Sequence, residues 1–245
     1  MRIGIISDIH ANSVALERVL QVMGPVDTLW CLGDVVGYGP NPNESIERLL
    51  ALPSMEVCLT GNHDWAVLGK LDLNDFNPDA RQAALWTRDQ LTAASERFLD
   101  ERPGKVVRDA EFTLAHASPR QPIWEYITSV PLARANFPQF DTPVCLVGHT
   151  HVPAIYALDA KGIVHDELPA DGGKLNVRDG RRYIINPGSV GQPRDSDPRA
   201  AYAIFDSDTG DLYFHRTEYD IVETQRRMTA AQMPVRLIMR LNFGW

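Results

Sequence analysis

The chain has 245 residues, of which 44% are apolar and 23% charged, with seven histidines and a formal net charge of −8. Such a composition belongs to a globular protein of one large domain or two small ones, and it excludes a fibrous or low-complexity chain. The acidic balance argues against a nucleic-acid duplex as partner, which would need clustered Lys and Arg, but not against small phosphate esters, whose charge bound cations would meet locally.

In chain order, the run at 2–7 (RIGIIS) reads as a buried strand that delivers Asp8-Ile9-His10. Val14, Leu16, Val19, Leu20 and Met23 then recur at helical spacing, with Asn12 or Ser13 as N-cap and Gly24-Pro25 as the stop. A second strand at 28–32 (TLWCL) ends on Gly33-Asp34, followed by a rigid loop at Gly39-Pro40-Asn41-Pro42 and a helical segment from Asn43 to Leu50. The strand at 55–60 (MEVCLT) leads into Gly61-Asn62-His63-Asp64. Asp8, Asp34 and Asn62 are thus spaced close to the roughly 30 residues of one strand–helix–strand unit. Residues 64–100 look helical, with a stripe of Ala80, Ala83, Ala84, Leu85, Thr87, Leu91, Ala94, Phe98 and Leu99 and with Pro78 near its start.

Two further strands, at 112–115 (FTLA) and 143–147 (PVCLV), end on His116 and on Gly148-His149-Thr150-His151. Beyond them, short β runs at 152–158, 163–168, 181–186, 200–205 and 211–219 are separated by turn signals, which predicts an antiparallel half following a parallel one. A capping helix is expected from Asp220 to Gln232. With no linker composition anywhere, these elements predict one domain over 1–245. It is an α/β fold, a four-layer αββα sandwich of two mixed β-sheets flanked by helices. Leu237, Ile238, Met239, Leu241, Phe243 and Trp245 are candidates for core or for an interface between copies in a homo-oligomer. Cys31, Cys58 and Cys145 lie inside apolar runs without a CxxC spacing and read as buried thiols. With no basic leader at the N-terminus and no apolar run of eighteen, the expectation is a cytoplasmic protein without a membrane partner.

Five of the seven histidines fall in the strand-end motifs, and only His165 and His215 lie elsewhere, as structural or surface residues. Ligands of open α/β sheets bind beyond the carboxyl ends of strands, so these motifs should converge on one crevice. In D-x-H and H-x-H, residues two apart in an extended chain share a face, which aims both side chains at one ion. The candidates Asp8, His10, Asp34, Asn62, His116, His149 and His151 exceed what one cation can use. Two ions are expected, with the Asp34 carboxylate as their bridge. Mixed oxygen and imidazole donors suit manganese, iron, zinc, cobalt or nickel. Two such ions about 3.5–4 Å apart share a water, lower its pKa toward roughly 7 and clamp an in-line displacement at phosphorus. Hydroxide is then the nucleophile, and no protein nucleophile is required. His63, beside a ligand but not needed as one, is placed to protonate the leaving oxygen or hydrogen-bond the phosphoryl group, with Asp64 to orient it. Asn12 and Arg194 are candidate substrate ligands, joined in second rank by Tyr38, Arg120 and Ser189. Each has a structural reading as well, such as a helix cap for Asn12, an ion pair for Arg120 and a tight turn for Ser189.

The ordered set D-x-H, G-D-x-x-G, G-N-H-D, a lone His and G-H-T-H resembles the calcineurin-like metallophosphoesterase superfamily. With the segment from Asn186 to Arg194, it resembles the short bacterial members in particular. The resemblance implies one metal on Asp8, His10, Asp34 and His151, a second on Asp34, Asn62, His116 and His149, and His63 as the catalytic histidine. Ala11 and Ala117 depart from the Gly that many relatives carry after a ligand histidine. The activity implied is hydrolysis of small phosphate esters, with phosphodiesters, cyclic nucleotides included, ahead of phosphomonoesters. A noncatalytic interaction scaffold on the same fold is the alternative from another class. Such a scaffold is free to lose a ligand or His63, and here none is lost.

Overall fold

The computed structural model describes residues 1–108 and 110–245. Its first sheet holds β1 (Arg2–Ile6), β2 (Thr28–Cys31) and β3 (Met55–Cys58) in parallel. On the other side of β1 lie β11 (Ala200–Asp206), β12 (Asp211–Thr217) and β9 (Lys174–Asn176), all antiparallel, in the order β3-β2-β1-β11-β12-β9. The second sheet has the order β4-β5-β6-β10-β7-β8, from β4 (Lys105–Arg108), β5 (Phe112–Ala115), β6 (Val144–Leu146), β10 (Arg182–Asn186), β7 (Ala154–Leu158) and β8 (Val164–Glu167). Parallel pairing runs from β5 through β6 to β10, and the other pairs are antiparallel. Both sheets are therefore mixed, as expected. The division into a parallel half followed by an antiparallel half is corrected: β10 inserts beside β6, and β11 returns to lie against β1.

Alternation along the strands explains the layers. Ile3, Ile5, Trp30 and Leu32 meet Phe112, Leu114, Val144, Leu146, Tyr183 and Ile185 in a buried core between the sheets. Edge-to-face contacts of Phe112 with Trp30 (5.3 Å) and Phe205 (4.9 Å) lock its centre. On the outer side of the first sheet pack α1 (Ser13–Met23), α2 (Pro42–Leu50), α3 (Asn62–Val67) and α5 (Ala93–Asp100), through residues such as Leu16, Val19, Ile46, Val67 and Phe98. Gly4 lets α1 approach, since a Cβ there would lie 2.6 Å from Met23 Sδ. The second sheet is covered by α6 (Val130–Asn136), with Ala133 and the following Phe137 against Cys145, Tyr156 and Ile184. A further cluster joins α4 (Pro78–Gln90) to α7 (Ile221–Ala230) and α8 (Val235–Arg240), where Leu237 and Leu241 are core while Met239, Phe243 and Trp245 are exposed.

The helices near the N-terminus begin where expected. The Asn12 side chain accepts from Ala15 N to cap α1, and Gly24 ends it. The stretch 64–100 is not one helix. Leu68 closes α3, Asn77 caps α4 with Pro78 in its first turn, Leu91 turns to extended backbone, and Thr92 starts α5 by accepting from Ser95 N. Ala94, expected in the apolar stripe, is exposed on α5, and Ser95 is buried in its place. The capping helix is α7, with the Asp220 side chain as its cap. Strands β4 and β9 and helices α6 and α8 lie outside the expected elements. All three cysteines are free and buried, and among the described residues no helix is long and apolar enough to cross a membrane. Replacing Phe112 by Ala opens a cavity between the sheets and should cost about 3–5 kcal/mol of unfolding free energy in urea titrations; a loss below about 1 kcal/mol would mean that the two sheets close over the gap.

Candidate metal centre

All the strand-end motifs converge. Asp8, His10, Asp34 and His151 form one buried group whose ligand atoms lie within 4.8 Å of one another, and Asp34, His116 and His149 form a second that shares Asp34. Asn62 Oδ1 stands 3.4 Å from His116 Nε2, which places it in the second group.

The route to this convergence differs from strand alternation. Asp8 (φ 53°), His10 (50°), Ala11 (51°), Asp34 (51°), His149 (65°) and His151 (60°) all adopt left-handed backbone, which L-residues avoid at a cost of order 1–3 kcal/mol each. The strands have ended before the motifs begin, and successive left-handed turns, not an extended chain, aim Asp8 with His10 and His149 with His151 inward. Cross-loop bonds hold these turns: Asp8 N to Gly33 O (3.0 Å), His10 N to Asp34 O (3.0 Å) and Ala11 N to Val35 O (2.8 Å). Ala11 is thus a residue in a conformation that Gly adopts freely, whereas Ala117 is not in this region.

The segment from Asn186 to Arg194 braces the same turns. Ser189 Oγ donates to Asp8 O (2.8 Å), Asn186 Nδ2 donates to Gly148 O (2.7 Å), and Gln192 O receives His151 Nδ1 (2.6 Å). Close approach is built in at Gly61, where a Cβ would sit 2.0 Å from Asp34 Oδ1, and at Gly191, where it would sit 1.8 Å from Ile9 O.

The donor set fits divalent cations. Nδ1 of His10, His116 and His151 each bonds a backbone carbonyl, of Val36 (3.1 Å), Leu32 (2.9 Å) and Gln192 (2.6 Å). That arrangement puts the proton on Nδ1 and the lone pair on Nε2. Nε2 of His10 and of His151 then face each other at 3.0 Å. Two lone pairs at that distance repel unless a cation accepts both. Asp34 Oδ2 and His149 Nε2 are buried without any hydrogen-bond partner. Asp34 Oδ2 lies 3.6 Å from His10 Nε2 and 3.4 Å from His116 Nε2, between the two groups as a bridge requires.

Charge is distributed unevenly. Burial alone would raise Asp34, but the charge and hydrogen bond of His116 hold its carboxyl well below the usual range. Burial pushes Asp8 up to about 7. Burial lowers His10 and His151, and brings His149 to about 3 and His63 to about 4, keeping these rings neutral. Burial would lower His116, but the Asp34 carboxylate outweighs it and raises the ring to about 10, so that without an ion its Nε2 holds a proton in the place of a cation.

His63 stands beside both groups, its ring 5.0 Å from His10, 4.2 Å from Tyr38 and 5.3 Å from Phe76. Asp64 does not orient it. Its two carboxylate oxygens accept from Val36 N (3.0 Å) and Gly61 N (2.9 Å), tying the Asp34 loop to the start of α3. His63 is held instead by aromatic packing and by its N–H to Asp34 Oδ1 (2.9 Å).

Among the candidate substrate ligands, Asn12 is spent on the fold, donating to Gly191 O and accepting from Ala15 N and Thr224 Oγ1. Ser189 serves the loops, and Arg120 is paired with Glu125. Arg194 is half-buried beside Tyr38, with Nη2 on Gln192 Oε1 (2.7 Å) and Nε without a partner. Sequence reasoning misses Phe76, Trp124 and Tyr126, which ring the site and whose positions no motif signals. His165 pairs with Asp159 at the surface, and His215 stacks on Tyr202.

Residues 1–210 match the model of the calcineurin-like phosphoesterase superfamily domain, and the chain belongs to that superfamily. It is a phosphoric ester hydrolase with a clustered Asp/His metal-binding site. A metallophosphoesterase crystal structure from Sphaerobacter thermophilus is similar over 100% of this chain and 99% of its own, at 51% identity and a TM-score of 0.91. An uncharacterized protein of Methanocaldococcus jannaschii is 36% identical over 99% of this chain and 98% of its own length. The symmetrical bis(5'-nucleosyl)-tetraphosphatase of Pectobacterium atrosepticum is 27% identical over 68% of this chain, which spans 55% of that relative.

Occupied sites stabilise the folded state by mass action. Manganese at a hundred times its Kd should add about 2.7 kcal/mol per site to unfolding free energy, read from urea midpoints with and without chelator. Midpoints that no transition metal moves would contradict the assignment of these residues as ligands.

Proposed function

We propose that the chain is a binuclear phosphoesterase of the cytoplasm acting on small phosphodiesters, cyclic nucleotides among them, with phosphomonoesters as the second class and manganese as the foremost metal. The observation that carries this reading is the sharing of Asp34 by two complete ligand groups, with a histidine that ligates neither at their rim. Asp8, His10, Asp34 and His151 would hold one ion, and Asp34, Asn62, His116 and His149 the other. Bound there, two divalent ions supply Lewis acidity at phosphorus and a water acidic enough to attack near neutral pH.

The chain's own residues do the rest. The His63 Nδ1 lies against Gly37, where a Cβ would stand 2.9 Å away, leaving Nε2 to meet the ester. Neutral through burial, the ring donates an Nε2–H hydrogen bond to the leaving or phosphoryl oxygen, where negative charge develops. Tyr38 and Phe76 fix its plane. Arg194 adds positive charge at the same place, disfavouring the protonated forms of His10, His63, His149 and His151, and its guanidinium supplies the charge that a phosphate would meet. The name of the tetraphosphatase relative supports a nucleotide ester as the natural type of substrate. A scaffold role would free the chain to lose a ligand or His63, and the complete set speaks for catalysis.

The test is hydrolysis of a chromogenic phosphodiester and its monoester counterpart by metal-stripped protein reloaded with manganese. Replacing His63 by Ala should leave two metals per chain and lower kcat by roughly 10²- to 10⁴-fold; unchanged turnover would remove His63 from the chemistry. Replacing Asp34 by Ala should bring the metal content below two, and retention of both ions would end its role as bridge.

A further inference from the structure

Beyond the metal groups, the segment after His116 builds a surface that the reaction at phosphorus does not use. Between residues 117 and 129 the chain has no regular helix or strand, yet it is tightly braced. Glu125 Oε2 accepts from Ser118 Oγ (2.6 Å) and Asn136 Nδ2 (2.9 Å), and its carboxylate pairs with Arg120. Asn136 also receives Arg120 N (3.2 Å), and Ala117 N donates to Pro122 O (2.8 Å). These bonds pull Glu125 inward, and Ile127 is buried with α6. The residues on either side of Glu125 point outward: Trp124 is 38% exposed and Tyr126 46%.

They do not point into empty solvent. The Tyr126 ring lies 3.8 Å from that of His149 at 32°, and Trp124 stands 6.4 Å from His149 and 5.0 Å edge-on from Phe76, which itself touches His63. An aromatic wall therefore runs from the catalytic histidine to a metal ligand, with the open ring surfaces of Trp124 and Tyr126 at its rim. Exposed aromatics on a braced loop bind flat rings with little loss of side-chain freedom.

We propose that Trp124 and Tyr126 are specificity residues that stack the aromatic ring of the substrate, a nucleobase carried on the phosphate ester, with Glu125 as the positioning residue that turns both rings toward the site. This rests on the reading of the metal centre as the place where the ester phosphate binds.

The test compares adenosine 5'-monophosphate, ribose 5-phosphate and phenyl phosphate as ligands by calorimetry in manganese-loaded His63→Ala protein, which should keep both metals and slow turnover, so that binding is read apart from hydrolysis. The nucleotide should bind about five- to a hundredfold more tightly than ribose 5-phosphate, the factor that one stacked base supplies. Trp124→Ala and Tyr126→Ala should each shrink that ratio while ribose 5-phosphate keeps its affinity, which also reports an intact fold, and Trp124→Phe should retain most of it. Glu125→Gln should reduce the ratio without touching ribose 5-phosphate. A gain for the nucleotide alone assigns the wall to a nucleobase. An equal gain for phenyl phosphate removes the nucleobase and leaves a platform for any flat ring. A ratio near one with both rings intact, or one that survives both Ala variants, overturns the proposal even if the chromogenic esters are hydrolysed by the unaltered protein. Failure of that hydrolysis with the ratio intact would instead count against the catalytic reading.

Discussion

The position of one carboxylate organises this molecule. Asp34 sits where the loops after β1, β2 and β3 meet, its backbone carbonyl taking His10 N and its Oδ1 taking His63 N, so that Oδ2 is left bare between His10 and His116. Burying a carboxylate oxygen without a partner costs several kcal/mol in an apolar interior. The surroundings offset this with imidazoles and, in a binuclear centre, with cations. Gly61 must be small for Asp34 to lie there, Asp64 must cap α3 to bring Gly61 close, and the left-handed turns at Asp8, His10, His149 and His151 bring the remaining donors within reach. The sandwich is the rigid frame against which that local strain is held.

Much of this is legible in the sequence because the chemistry recurs at the ends of apolar runs. Ile3, Ile5, Trp30 and Leu32 are apolar with a period of two, and each such run delivers its polar motif at once, so strands and ligands can be read together. The left-handed conformations cannot. Nothing in the identities of Asp8 or His149 requires positive φ, and only the packing of neighbouring loops imposes it. Short edge elements also escape: β9 has three residues, and β4 flanks two valines with Lys105 and Arg108. The break-up of 64–100 is written in Asn77-Pro78 and Thr92, whose capping chemistry the apolar stripe obscures.

Roles are harder to read than places. Asp64 follows His63 in sequence, which suggests that it serves that ring, yet side chains at adjacent helical positions diverge, and Asp64 turns back to the backbone at Gly61 and Val36. Asn12 likewise follows a ligand histidine but is absorbed by a helix cap and the loop at Gly191. The aromatic wall has the reverse character. Phe76, Trp124 and Tyr126 come from two unrelated loops, and only the bracing of Glu125 in three dimensions brings them to one rim.

The interleaving of the sheets bears on how the chain is made. β1 has β11 on one flank, and β6 has β10, so the strands of the first 150 residues leave a synthesising ribosome with unpaired edges until the last third arrives. Pairings that span so much sequence form slowly and leave apolar edges open to other chains in the meantime. The ligands face the same delay, because the brace at Ser189 and Gln192 that sets Asp8 and His151 is itself among the later residues to emerge. A nascent chain thus carries every metal-binding side chain well before it has a pocket to hold them.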